Sequence, residues 1–252
     1  MLERRDDLAP GLLLGTNVEI GDGAELGFNA VIHDDVQIGA DVVLGAGVVL
    51  HAGTRIGAGT VIGDHAVVGK QVRLAAASTA SREPLPPLTI GTRVTIGAHA
   101  VINAGTTIGN DTLIGDQAML RERVTVGVSC VLGRSALVEN DTTLGDRVKV
   151  QANAYLTAYM TLEDDVFIAP CVMTTNDNYM GRTEKRFAER GGATIRRAAR
   201  IGGGSILLPN IEIGEEGFVG AGAIVTKNVP PRTLVVGSPA RVLREVAAEE
   251  LL

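Results

Sequence analysis

The sequence is nearly without aromatic residues: four Phe, three Tyr and no Trp among 252 positions. Compact cores normally draw on aromatic bulk, so an interior built without it must be narrow and filled by Val, Ile, Leu and Ala. Cysteine is scarce as well. With only Cys130 and Cys171 there is no disulfide framework, and a reducing compartment, the cytoplasm, is the simplest expectation. No apolar run reaches the roughly 18 residues that a membrane span needs, and Met1–Pro10 is charged rather than apolar. A net charge of −6 argues against general nucleic-acid binding, which wants a basic face.

In place of these, the chain has 32 glycines and a strict aliphatic period of six. The series Leu14, Ile20, Leu26, Ile32, Ile38, Leu44, Leu50, Ile56, Ile62, Val68, Leu74 runs without a slip. It restarts at Ile90 and continues through Ile96, Ile102 and Ile108 to Ile168, then returns from Ile195 to Val225. Glycine follows the aliphatic at most beats (Gly21, Gly39, Gly57, Gly97), and a small or branched residue stands four positions after it (Ala24, Val36, Thr60, Ala100). A helix of 3.6 residues per turn cannot hold this spacing in phase, whereas short extended segments can. The aliphatic points inward and the glycine is expected to permit a corner. Three such sides close a triangular coil of about 18 residues, so 31 beats make roughly ten coils.

The aliphatic–Gly–x–x–small–x pattern resembles that of the hexapeptide-repeat acyltransferases, whose fold is a left-handed parallel β-helix. The expected organisation is an N-terminal segment 1–13, coils 14–79, a Pro-rich loop 80–89 and central coils 90–173. An extended basic loop 174–194, C-terminal coils 195–231 and a tail with a short helix, 232–252, complete it. In that tail Leu243, Val246 and Leu251 would share one helical face.

A sharper resemblance lies in the C-terminal hundred residues. V-K-V-Q-A-N-A-Y from Val148 and T-L-E-D-D-V-F-I-A-P from Thr161 look like the segment before the active-site loop of bacterial nucleotide-sugar N-acetyltransferases. The loop of those enzymes opens on F-T-N and continues to Asn-Pro-Arg. Here T-T-N stands at Thr174–Asn176 and the loop runs on through Asn178, Tyr179, Met180, Gly181 and Arg182. V-G-A-G-A-I-V-T-K-N-V-P-P from Val219 resembles the family's acetyl-CoA-binding terminus. The resemblance implies a homotrimer that acetylates the amino group of a nucleotide-linked aminosugar. It makes Asn176 the residue that orients the acceptor nitrogen, and Gly202, Gly220, Ala221, Lys227 and Arg241 the residues near acetyl-CoA. A sugar O-acetyltransferase and a non-catalytic β-helix scaffold are the alternatives.

Residue chemistry adds to this. From Asn176 to Arg200 seven cations (Arg182, Lys185, Arg186, Arg190, Arg196, Arg197, Arg200) face three anions (Asp177, Glu184, Glu189), a local surplus of +4 suited to phosphates. Asp177 is a candidate proton acceptor, while Gln151 and Asn153, where glycine is usual, are candidate pocket residues with Asn178, Tyr179, Arg182, Lys185 and Arg186. The four histidines, His33, His51, His65 and His99, all precede residue 100. His99 stands four coils, about 19 Å, before the loop, so no histidine base is expected there. His33 and His51, 18 residues apart, should stack on successive coils; no third histidine is in phase with them, and no metal is expected. Cys130 falls in the small inward slot of its repeat.

Overall fold

A computed structural model describes residues 2–78 and 82–252. The protein is an all-β, left-handed parallel β-helix, and its strands are mostly two residues long, as at Val31–Ile32, Leu113–Ile114 and Phe167–Ile168. In most strands the second residue faces inward: Ile32, Leu50, Ile62, Leu120, Ile168 and Val219 have no exposed surface. The residue four positions later also points in, and Val36, Thr60, Ala100, Ala136, Val166 and Ala223 are equally closed off. Two inward residues per six explain how a core without aromatic rings is filled.

The corners are made differently from the sequence expectation. The left-handed backbone sits three positions after the aliphatic, at Asp35 (φ 60°), Asp111 (φ 59°), Asn153 (φ 58°) and Gly222 (φ 70°). Asn, Asp and Gly are the residues that tolerate it best. The glycine directly after the aliphatic serves close approach instead. A Cβ on Gly97 would lie 2.4 Å from the backbone nitrogen of Asp116, one coil on. A second corner device repeats at 18 residues: Asp34, Asp64, Asn110, Asp116 and Asp146 each accept a backbone N–H from the preceding coil through Oδ1, at 2.7–2.9 Å. These N–H groups have no partner in the strand ladders, so the side chains close a gap that the corners would leave.

The coils divide into two compact units, 1–124 and 125–252. In the first unit, one face runs in parallel register through Leu13, Val31, Val49, Val67, Val101 and Met119. A second runs through Glu19, Gln37, Arg55, Thr89 and Thr107, and a third through Val43, Val61, Thr95 and Leu113. Glu3–Arg4 opens the unit by pairing antiparallel with Leu13–Leu14. Ile90 takes the next inward slot after Val68, so Leu74 is not a beat of the helix. It lies half-buried in the excursion between Lys70 and Leu88, of which residues 79–81, including the Ala80 that was to open the Pro-rich loop, lie outside the described part. Leu74 kept the period by position only; Leu88, fully buried, marks where the coil resumes.

In the second unit the first face runs through Leu137, Tyr155, Met173, Ile206 and Ile224, and the second through Thr125, Thr143, Thr161, Thr194 and Glu212. The third carries Val131, Lys149, Phe167, Arg200, Phe218 and Leu234. Strand Met173–Thr174 extends the regular coil one side beyond Ile168, with the hydroxyl residue Thr174 in an inward slot. The basic loop therefore occupies 175–193. The chain makes about twelve turns, against the ten expected.

The C-terminal helix is also corrected. Arg241–Glu245 is a strand, paired antiparallel with Thr233–Val236, and only Ala248–Glu250 forms a single 3-10 turn. Thr233–Val236 ends the parallel ladder, and its outer edge would leave backbone groups unpaired; the returning chain satisfies them. Val242 and Leu243 stay exposed, since pairing rather than burial places them. No helix among the described residues is long and apolar enough to cross a membrane.

Candidate active site

The loop 175–193 leaves the second unit at the corner between its first and second faces. Its base is tied at both ends: Thr175 donates its N–H to the Leu207 carbonyl at 3.1 Å, and the Gly191 N–H reaches the Asn176 carbonyl at 3.0 Å. Asn210, at the same corner one coil on, donates Nδ2 to the Glu189 carbonyl at 2.7 Å. Asn176 thus sits at the loop's root with its backbone fixed, and its half-buried side-chain amide has no hydrogen bond among the described residues.

Asp177 shapes the turn that follows. Oδ1 accepts the Tyr179 N–H at 2.8 Å and Oδ2 the Gly181 N–H at 2.9 Å, with Arg186 at 4.0 Å. The Gly181 and Tyr179 amides, and then the Arg186 charge, hold this carboxyl below the usual carboxylate range. Asn178 and Arg182 are exposed on the turn, as is Lys185 on the five-residue helix Lys185–Glu189.

Two features of the loop were not legible in the sequence. The Tyr179 hydroxyl donates to Glu189 Oε2 at 2.6 Å, joining turn to helix, and this hydrogen bond pushes the phenol up from its usual range. Arg190 lies over the Tyr159 ring at 5.1 Å and the Phe187 ring at 5.7 Å, while Arg186 covers Phe187 at 4.3 Å. Two of the three tyrosines and one of the four phenylalanines meet here, and that concentration in so aromatic-poor a chain was the available signal.

The +4 surplus does not survive folding. Arg196 pairs with Glu163 (2.9 Å) and Glu212 (2.6 Å), Arg197 pairs with Glu215, and Arg200 lies 3.6 Å from Glu250. All four glutamates lie outside the stretch that was counted, on neighbouring coils or the tail. Arg182, Lys185, Arg186 and Arg190 remain as the cations of the loop itself.

The other expected residues stand elsewhere in the unit. Gln151 (half-buried) and Asn153 (exposed) share the corner between the third and first faces with Gly202, Gly220 and Ala221, one full face from Asn176. A Cβ on Gly202 would lie 2.5 Å from the Ala221 nitrogen, so this corner presents closely layered backbone. Lys227 is exposed on the loop's own corner, and Arg241 on the terminal antiparallel strand.

All four histidines belong to the first unit. His33 stacks on His51 with ring centroids 5.2 Å apart and planes 11° from parallel, as the spacing predicts, and His65 stacks on His99 in the same way. Cys130 is fully buried, with Sγ 3.1 Å from the Gly145 carbonyl oxygen, and burial pushes its thiol up to about 11. Cys171 is exposed.

Residues 17–52 and 35–70 match the model of the bacterial transferase hexapeptide (six repeats). Residues 87–116 and 123–158 match that of the hexapeptide repeat of succinyl-transferase. A serine acetyltransferase of Buchnera aphidicola is 40% identical over 91 residues, 36% of this chain and 31% of that protein. The galactoside O-acetyltransferase of Escherichia coli is 34% identical over 34% of this chain and 44% of its own length. The matches thus span less than half of either relative. Among solved structures, the Arabidopsis UDP-N-acetylglucosamine acyltransferase superposes with a TM-score of 0.55 at 19% identity, covering 95% of this chain and 74% of that one. This likeness is one of fold.

Proposed function

We propose, from the premise that the chain belongs to the hexapeptide-repeat acyltransferases, that it transfers an acetyl group from acetyl-CoA to the amino group of a nucleotide-linked aminosugar. The observation that carries this reading is Asn176: a T-T-N stretch at the root of the one long loop of its unit, with the side-chain amide uncommitted. Its carboxamide would hold the acceptor nitrogen, or a water beside it, against the thioester. The C–N bond forms as the C–S bond breaks, and the proton released by the amine leaves with the CoA thiolate or through solvent. A neutral amine needs positioning more than a base. Asp177, whose oxygens take the Tyr179 and Gly181 amides, would act chiefly by shaping the turn and only weakly as proton acceptor.

Arg182, Lys185 and Arg186 would meet acceptor phosphates, with Asn178 and Tyr179 beside them. Gly202, Gly220 and Ala221 would lay backbone along the pantetheine arm, with Lys227 and Arg241 near its phosphates. Loop corner and glycine corner lie one face apart within a chain. A site using both, with Gln151 and Asn153, therefore takes the loop from one copy and the glycine corner from its neighbour, in keeping with a trimer.

O-acetylation is the second reading, favoured by the galactoside O-acetyltransferase named above. A hydroxyl acceptor needs a base, and Glu189, hydrogen-bonded to Tyr179, is the loop carboxylate placed for it. Incubation with acetyl-CoA and a panel of UDP- and dTDP-linked aminosugars and of neutral sugars, following thiol release, separates the readings. Turnover with amines and a shallow pH profile supports N-acetylation. Turnover only with neutral sugars, abolished by Glu189→Gln, replaces it with O-acetylation.

A further inference from the structure

Along the corner between the second and third faces of the second unit lies a pocket of about 460 Å3. None of the residues proposed for acyl transfer lines it. Its walls bring together Arg147, Lys149, Asp165, Arg200, Glu216 and the tail residue Glu250. Formal charges balance, but the commitments do not. Arg147 gives Nε and Nη2 to Asp165 at 2.7 and 2.9 Å. Glu216 accepts the backbone N–H of Leu252 at 2.8 Å, and Glu250 Oε1 accepts from Arg244 at 2.9 Å. Two positive groups remain without a hydrogen bond among the described residues: the exposed Lys149, and the Nε–Nη2 edge of Arg200.

That edge is unusual. The guanidinium lies over the Phe218 ring at 4.5 Å, both nitrogens are closed off from solvent, and neither has a hydrogen-bond partner. The nearest acid oxygen, Glu250 Oε2, stops 3.6 Å from Nη2, too far for a hydrogen bond. A buried donor left unmade is costly. Nε and Nη2 are also the two parallel donors with which arginine takes a carboxylate or phosphate side by side.

We propose that this pocket is a binding site for a small oxyanion, a phosphoryl or carboxylate group, which gives two oxygens to the Arg200 edge and meets the Lys149 charge, with Glu250 as its built-in competitor. The tail is held at both ends of the relevant stretch, by the Val246 N–H on the Arg232 carbonyl at 2.9 Å and by Leu252 on Glu216. Between these ties the 3-10 turn sets Glu250 over Arg200 without satisfying it. A ligand carboxylate or phosphate displaces Glu250 and completes the pair. This site is independent of the reaction assigned to the loop.

Isothermal titration of inorganic phosphate and of succinate into the full chain, Glu250→Gln and Arg200→Lys tests the assignment. One anion should bind the unaltered chain, about tenfold more tightly in Glu250→Gln, where the competing charge is gone, and about tenfold more weakly in Arg200→Lys, which keeps the charge but loses the two-donor edge. Whichever anion binds identifies the ligand class. If Arg200→Lys does not fold by circular dichroism, Lys149→Gln takes its place, with the same direction expected. No binding of either anion to folded protein overturns the proposal. So does equal affinity in all variants, which marks diffuse charge attraction, or a loss of affinity in Glu250→Gln, which marks Glu250 as structural support.

Discussion

The backbone N–H of Thr157 donates to Thr174 Oγ1 at 2.8 Å, and the same hydroxyl lies 3.1 Å from the Tyr155 carbonyl oxygen. A polar side chain in an inward slot thereby holds two successive coils together immediately before the loop opens. Thr174→Val keeps the shape but leaves the Thr157 N–H without its partner. A loss of about 1–3 kcal/mol in denaturant unfolding is expected, and loop amides 175–193 should exchange hydrogen faster. Unchanged stability would show that the slot needs only volume.

Asn176→Ala should lower kcat on the accepted aminosugar about 100-fold, the scale seen when one oriented polar group is removed from an active site. The affinity for acetyl-CoA, measured by titration, should hardly change. Equal turnover of the two proteins removes Asn176 from the mechanism.

Gly202→Ala places a methyl group 2.5 Å from the Ala221 nitrogen, which belongs to backbone and cannot swing aside. The two coils must separate, at a cost of about 2 kcal/mol or more. Ala substitution at Gly204 is the comparison: it meets nothing within 4 Å, although its φ of 66° disfavours a side chain. A lower melting temperature for Gly204→Ala than for Gly202→Ala would reverse this ranking of close approach over backbone angle.

Burial, then the neighbouring His33 and Lys70, push the His51 imidazole below its ordinary range. The folded protein therefore binds this proton less readily than the unfolded chain. Its contribution to stability is complete above the ordinary imidazole value, near pH 6.5, and is lost as pH falls from there through the lowered folded value. His51→Asn should flatten the melting temperature between about pH 7 and pH 5. A slope identical to that of the unaltered protein would assign the acid sensitivity to other groups.

Only the thiolate reacts with disulfide reagents. With the Cys130 thiol raised to about 11 and fully buried, the native protein should release one equivalent of chromophore from an aromatic disulfide, through Cys171, and the second only on unfolding. Two fast equivalents would mean that the second unit opens readily at Cys130.

Most of the scaffold was legible because every coil repeats one local rule. The inward positions of Ile32, Ile96 or Val219 follow from spacing alone, and so does the stacking of His33 on His51, since 18 residues return the chain to the same point of the triangle. The rule misled where a residue met the period without the environment, as Leu74 does, or met the environment without the residue type, as Thr174 does. Charge was the poorest guide. Arg196 looked available among its sequence neighbours, yet its partners Glu163 and Glu212 lie 33 and 16 residues away in the chain. In a parallel coil the nearest side chains are about one turn distant in sequence, so a local count of charge samples the wrong neighbours.

The sequence by itself determined the repeat, the all-β coil, the inward residues and the point at which the loop interrupts them, because each depends on six residues and their immediate geometry. Only the tertiary structure decided which charges stay free, which corner each candidate residue occupies, and that the chain's end returns as a strand instead of a helix. Those outcomes depend on what the adjacent coil or the ladder's last edge offers as a partner, and that partner is set by stacking between coils rather than by residues close in the chain.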